Sequence, residues 1–154
     1  MILHNRVNKK ELKLKLQQES IKRITLSFYR YVIIDNPQEL RDNLFLRWQS
    51  LQVFGRIYLA HEGINAQLSV PEINYNTFLN ELYADERFKN VPIKIAVEDD
   101  GKSFYKLAIK VREKIVADGL DDGTFDVCNV GKHLSAKERC YGRSELCNYF
   151  QASI

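Results

Sequence analysis

His61 and Glu62 are neighbours in the chain, and a histidine beside a carboxylate can be tuned to titrate near neutrality, as general acid–base chemistry requires. Adjacent residues of an extended chain point to opposite sides, however, so adjacency does not give them a shared site. A solvated loop, or a histidine capping a turn, accounts for the same pair. Asn65 and Gln67 follow with amides that either read bases or simply hydrate. Tyr29, Tyr31, Arg56, Tyr58, Lys94, Lys102, Lys106, Lys110 and Arg112 interleave cations with aromatics, a combination that holds phosphates and stacks bases. The chemistry these types suit is RNA binding, with Arg56, Tyr58, His61, Glu62, Asn65, Gln67, Lys102, Lys110 and Arg112 as candidate contacts. No residue is assigned a catalytic role.

Other chemistries fit less well. Gly101-Lys102-Ser103 imitates the end of a phosphate loop, but the glycine needed five positions earlier is Ala96, and no helix follows. Cys128, Cys140 and Cys147 are too widely spaced for a metal knuckle or an even disulfide framework, and a reduced cytosolic chain is the simplest reading. Nothing around Cys128 resembles a nucleophile loop. The residues imply no metal and no cofactor. With 154 residues, 45% hydrophobic content and a net charge of +3, one core is affordable but charge alone does not establish a nucleic-acid partner. Much of the excess positive charge crowds the start, at Arg6, Lys9, Lys10, Lys13, Lys15, Lys22 and Arg23. The opening residues lack a signal-peptide core, and no apolar run approaches the roughly 20 residues of a membrane helix, so a soluble cytoplasmic protein is expected.

The elements that must position these side chains follow from local pattern. Residues 55–70 read as a hairpin, with Ile64, Ala66, Leu68 and Val70 alternating against Asn65, Gln67 and Ser69, and with Gly63 serving a loop of three to five residues. Residues 23–34 are rich in β-branched and aromatic types and predict a central strand buried on much of both faces, which leaves Tyr29 and Tyr31 either core or surface. Asn36, Pro37 and Glu39 form a helix start, and Leu40, Leu44, Trp48 and Leu51 make its apolar stripe. Pro71-Glu72 opens a second helix carrying Tyr75, Phe78, Leu79, Leu82 and Tyr83 on one face. Residues 91–97 predict an edge strand with Ile93, Ile95 and Val97 on one side, and residues 8–20 a short basic helix. Strand, helix, hairpin, helix, strand is the order of a split βαβ, ferredoxin-like α+β sandwich, with strands in spatial order four, one, three, two. Residues 106–116 add either an edge strand or a ribbon to a second domain. The expected divisions are 1–22, a basic helical segment; 23–118, the ferredoxin-like domain; and 119–154, a connector and tail.

Several ordered segments carry a family resemblance. They are Leu3-His4-Asn5-Arg6, Ser27-Phe28-Tyr29-Arg30-Tyr31, residues 53–71, Asp99-Asp100-Gly101-Lys102-Ser103-Phe104, Lys110-Val111-Arg112, Ile115-Val116-Ala117-Asp118-Gly119 and Asn129-Val130-Gly131. In these the chain resembles the rhodanese-related tRNA wobble-uridine hydroxylases, over residue 1 to about Glu138. The resemblance implies an N-terminal acylphosphatase-like, ferredoxin-like domain and its connector, with tRNA and a rhodanese domain as partners. It further implies oxygen-dependent hydroxylation whose reactive cysteine loop belongs to the rhodanese domain and has no counterpart here. After Glu138 the pattern stops, and residues 139–154 look like a truncated or frame-shifted tail or a natural short variant. Two readings follow: a tRNA-positioning domain, or a structural domain that packs on the rhodanese domain without touching RNA.

Overall fold

A computed structural model describes residues 8–97 and 99–116. Its sheet has five strands: β1 (Arg23–Tyr31), β2 (Phe54–Ala60), β3 (Gly63–Pro71), β4 (Lys94–Ile95) and β5 (Leu107–Val111). Their spatial order is β4-β1-β3-β2-β5, the expected four, one, three, two with one strand added beyond β2. All pairings are antiparallel except β2 with β5, so of residues 106–116 the stretch Leu107–Val111 forms a parallel edge strand. Three helices accompany the sheet: α1 (Lys9–Gln18), α2 (Pro37–Ser50) and α3 (Tyr75–Ala84). This is the ferredoxin-like α+β architecture, with an extra N-terminal helix and a C-terminal extension strand.

The helix starts obey their capping residues. Asn8 accepts from the Lys10 amide, and Asn36 accepts from the Glu39 amide at 3.2 Å with Pro37 in the first turn. Glu39 returns the contact through its carboxylate to the Asn36 side chain, rather than to the cap's backbone. Pro71 closes β3 instead of opening a helix; a 3₁₀ turn, Glu72–Asn74, precedes α3.

Alternation in the strands decides what is inside. Leu26 and Phe28 of β1, Ile57 and Leu59 of β2, Ile64, Ala66, Leu68 and Val70 of β3, and Leu107 and Ile109 of β5 join one core. Leu40, Leu44, Phe45 and Trp48 of α2 and Phe78 and Leu82 of α3 complete it, so both helices cover the same sheet face. Trp48 is fully buried and meets Phe78 at 5.4 Å between ring centres. Phe88, in the polar-looking segment 85–90, is fully buried too.

Three expectations need correction. β1 ends at Tyr31 and its outer face is buried only at Arg23; Tyr29 and Tyr31 are exposed, because α2 and α3 occupy just one side of the sheet. The strand expected over 91–97 contracts to Lys94–Ile95, since Pro92 brings no amide to a ladder, and Ile95 and Val97 remain exposed. The hairpin loop has two residues, His61 and Glu62, with Ala60 paired to Gly63. Gly63 is required instead by its φ of +149° and by β1, because a Cβ there would lie 2.0 Å from the Arg30 carbonyl oxygen.

The indole nitrogen of Trp48 has no hydrogen-bond partner among the described residues, so its burial rests on packing. Trp48→Ala is expected to lower unfolding free energy by about 3–5 kcal/mol. Trp48→Phe, which breaks no hydrogen bond, should cost well under half of that in a urea titration.

Candidate nucleic-acid interface

Directly paired residues of neighbouring strands share a face, so the register spells out the uncovered side of the sheet row by row. One row runs Tyr29, Asn65, Tyr58, Lys110 across β1, β3, β2 and β5. The next runs Lys94, Ser27, Gln67, Arg56, Ala108 from β4 to β5. Aromatic rings, amides and cations are thereby brought together on the side opposite the helices. Just past β5, the Arg112 guanidinium sits 4.2 Å from the centre of the Tyr58 ring, a cation–π contact that fixes the ring beside a positive charge. Tyr29 and Tyr31 meet edge to face at 6.3 Å and 75°.

None of the five strands contains an Asp or Glu. Arg56, Lys94 and Lys110 make no ion pair among the described residues. The positive field of this face is therefore not neutralised from within the sheet.

The hairpin tip has a different role. His61 Nδ1 lies 2.8 Å from the Ile34 carbonyl oxygen and donates to it, tying the tip to the segment after β1. Glu62 Oε1 accepts from the Ile115 amide at 2.8 Å, and Asn65 Nδ2 donates to the Ile115 carbonyl at 3.3 Å. Glu62 and Asn65 thus grip both backbone groups of one residue, and Ile115 is buried beside them. His61 and Glu62 are anchored to different segments, the first to Ile34 and the second to Ile115. Of the nine candidates, Arg56, Tyr58, Asn65, Gln67, Lys110 and Arg112 come together on the open face. His61 and Glu62 stand at its rim. Lys102 lies at the far end, where its ammonium donates to the Gln17 carbonyl at the end of α1.

That far end is closed by Arg23, whose side chain is 1% exposed. Its guanidinium donates to the Gln52 carbonyl, the Ser69 hydroxyl and the Ser69 carbonyl, stacks 4.1 Å from the centre of the Phe54 ring, and pairs with Glu19 at 3.6 Å. Burial lowers its pKa and Glu19 works the other way; an arginine stays charged regardless. Gly101, at φ +73°, packs on Arg23, where a Cβ would come within 2.7 Å of the arginine's own. The loop around it is built on aspartates: Asp99 accepts from the Gly101 amide and the Ser103 hydroxyl, and Asp100 from the Lys102 amide. This loop, β4 and β1 enclose a cleft of about 350 Å³ on the open face.

Among the described residues no group of three or more His, Cys, Asp or Glu is placed to hold a metal ion, and no helix is long and apolar enough to cross a membrane. The three cysteines and the expected boundary near residue 119 lie outside the described residues.

The profile of the family described as UPF0176 acylphosphatase like domain matches residues 23–115, a span that contains all five strands. The chain belongs to this family. The domain has curated relatives named tRNA uridine(34) hydroxylase. One from Leptospira interrogans is 58% identical over 136 residues, covering 88% of this chain and 37% of the relative. One from Enterobacter sp. (strain 638) is 54% identical over 138 residues, covering 89% of this chain and 40% of the relative. One from Salmonella typhimurium is 54% identical, with 89% and 39% covered. The chain spans about two fifths of the length of these relatives.

Sequence reasoning placed the amide and cation rows of this acylphosphatase-like domain but missed Ser27 and Phe104, which help to line the cleft. Ser27 was findable, since it shares the parity of Tyr29 and Tyr31. Phe104 was not, because its loop has no period.

The Asp99 carboxyl is held below the ordinary aspartate range. Burial opposes this, and the nearby Thr25 hydroxyl together with hydrogen bonds from the Gly101 amide and the Ser103 hydroxyl outweighs it. Its contribution to the loop is therefore complete above the unfolded aspartate value of about 3.9 and is lost as pH falls through the lower folded value. Amide exchange at Gly101 should accelerate over that acid window, and Asp99→Ala, which removes the acceptor, should show the fast exchange already at neutral pH.

Proposed function

We propose that this domain positions tRNA, presenting the anticodon region to a catalytic domain that hydroxylates uridine 34. The observation that carries the reading is the sheet face, its strands without Asp or Glu, on which Tyr29, Asn65, Tyr58 and Lys110 line up beside Arg56, Gln67 and Lys94. Cations there suit phosphates, and Tyr29 and Tyr58 suit unstacked bases of a single-stranded loop. Asn65 keeps its carbonyl oxygen for a base, its amide nitrogen being used on Ile115. The relatives' printed name supplies the substrate class, and the resemblance to rhodanese-related enzymes supplies the partner domain. In this reading the described domain contributes grip and register, the reaction's chemistry belongs to the rhodanese domain, and the site of action is the cytoplasm.

A second, structural role is favoured by one observation of its own. Tyr31, Ile33, Val111 and Val116, at the hairpin end of the sheet, are between 37% and 47% exposed. An apolar rim of this kind suits a packed neighbour such as the rhodanese domain. The rim adjoins the cationic face at Tyr31, whose ring meets that of Tyr29.

Titration of a labelled tRNA against the 154-residue chain at two salt concentrations tests the leading reading. Affinity is expected to fall as salt rises, and Lys110→Ala to reduce the magnitude of the logarithmic salt slope by about 0.7–0.9, the share of one phosphate contact. Tyr58→Ala should cost about 1–3 kcal/mol, the worth of one base stack. Absence of binding at low salt would overturn the proposal for this domain.

A further inference from the structure

The cleft beside β4 is continuous with the proposed RNA face but has a different character. Its walls include Thr25 and Ser27 of β1, Gln67 of β3, Lys94 of β4, and Ser103 and Phe104 of the following loop. Its volume, about 350 Å³, falls at the small end of the roughly 300–1,000 Å³ typical of small-molecule sites. That end of the range suits a single nucleotide rather than a folded segment of nucleic acid. Phe104 lines the cleft with an aromatic side chain, Ser27 and Gln67 offer a hydroxyl and an amide that both donate and accept, and Lys94 offers a cation at the sheet's edge. Lys94 makes no ion pair among the described residues, and Ser27 stands directly opposite it in the register. Ser103, by contrast, is already held by Asp99, so it shapes the wall and does not compete for a ligand.

We propose that this cleft is a single-nucleotide site: one unstacked base of the bound strand inserts against Phe104, its polar edge meets Ser27 and Gln67, and Lys94 takes its phosphate. The inference rests on the RNA reading of the same face and adds a location at which one nucleotide leaves the strand's own stack. Gln67 lies in the row between Ser27 and Arg56, so the strand passes from the cleft onto the aromatic row without crossing an acidic side chain of the sheet.

The test uses the full 154-residue chain, isotopically labelled, with uridine 5′-monophosphate and inorganic phosphate as small probes. A fluorescent single-stranded RNA of about ten nucleotides, within the site size of comparable folds, serves as the long probe. Saturable amide shifts are expected at Ser27, Lys94, Ser103 and Phe104 with the nucleotide, and phosphate alone should move only the neighbourhood of Lys94. Ser27→Phe, which fills the cleft, should abolish the nucleotide shifts and weaken RNA binding about tenfold, the scale of one lost stack. Lys94→Gln, at an exposed edge position, should weaken nucleotide binding several-fold with the amide spectrum otherwise unchanged, which covers a folding failure of the bulkier variant. Tyr58→Ala should weaken RNA binding and leave the nucleotide shifts in place. If RNA binds and Tyr58→Ala weakens it, yet nucleotide shifts miss the cleft, or phosphate reproduces them all, the single-nucleotide site is overturned and the platform stands. If RNA does not bind at low salt, both are overturned.

Discussion

A buried guanidinium closes one end of this domain's outward sheet face. Arg23 opens β1 and reaches across the neighbouring β3 at Ser69 to the start of β2, at Gln52 and Phe54, while Glu19 approaches from the end of α1. An arginine can be buried when its planar fork finds several fixed acceptors and an aromatic face, because those contacts offset lost hydration. Once it is in place, Gly101 is the only kind of residue that fits against it, and the loop carrying Ser103 and Phe104 is drawn over one end of the sheet. The outward face is thus closed at the Arg23 end and open toward Tyr29 and Tyr58.

The opposite end is governed by the hairpin. Two residues make the turn, Gly63 lets β1 approach closely, and Glu62 with Asn65 fasten Ile115. Between these two fixed ends lie the outward-facing rows of the sheet. The fold therefore divides its polar residues by task, some spent on backbone groups at the borders and others left to face outward, and a shared strand parity holds the second group together.

Much of this architecture was legible from alternation. Leu26 and Phe28 against Tyr29 and Tyr31, or Ala66 and Leu68 against Asn65 and Gln67, fix which side is core once helices are placed on one face. The helix caps at Asn8 and Asn36 were legible for the same reason, since a short side chain satisfies an orphan amide locally. What escaped depended on contacts distant in sequence. Nothing near Glu62 announces that its carboxylate will hold the amide of Ile115, and Phe88 looks like part of a polar turn until α3 folds back over the core. Arg23 read as one more member of a basic run, although its side chain is nearly inaccessible. The reach of β1 was overestimated because a rich β-former run says nothing about how many faces of the sheet will find a cover.

The borders of the sheet are its shortest strands, β4 with two residues and β5 with five, and each bears a lysine, Lys94 and Lys110. Unpaired amides along a long, flat border are what allow a second molecule to zip onto a sheet, and short charged borders suppress that. In this domain those two ammonium groups work against copies of the protein joining edge to edge, and in the proposed reading the same charges draw in a polyanion.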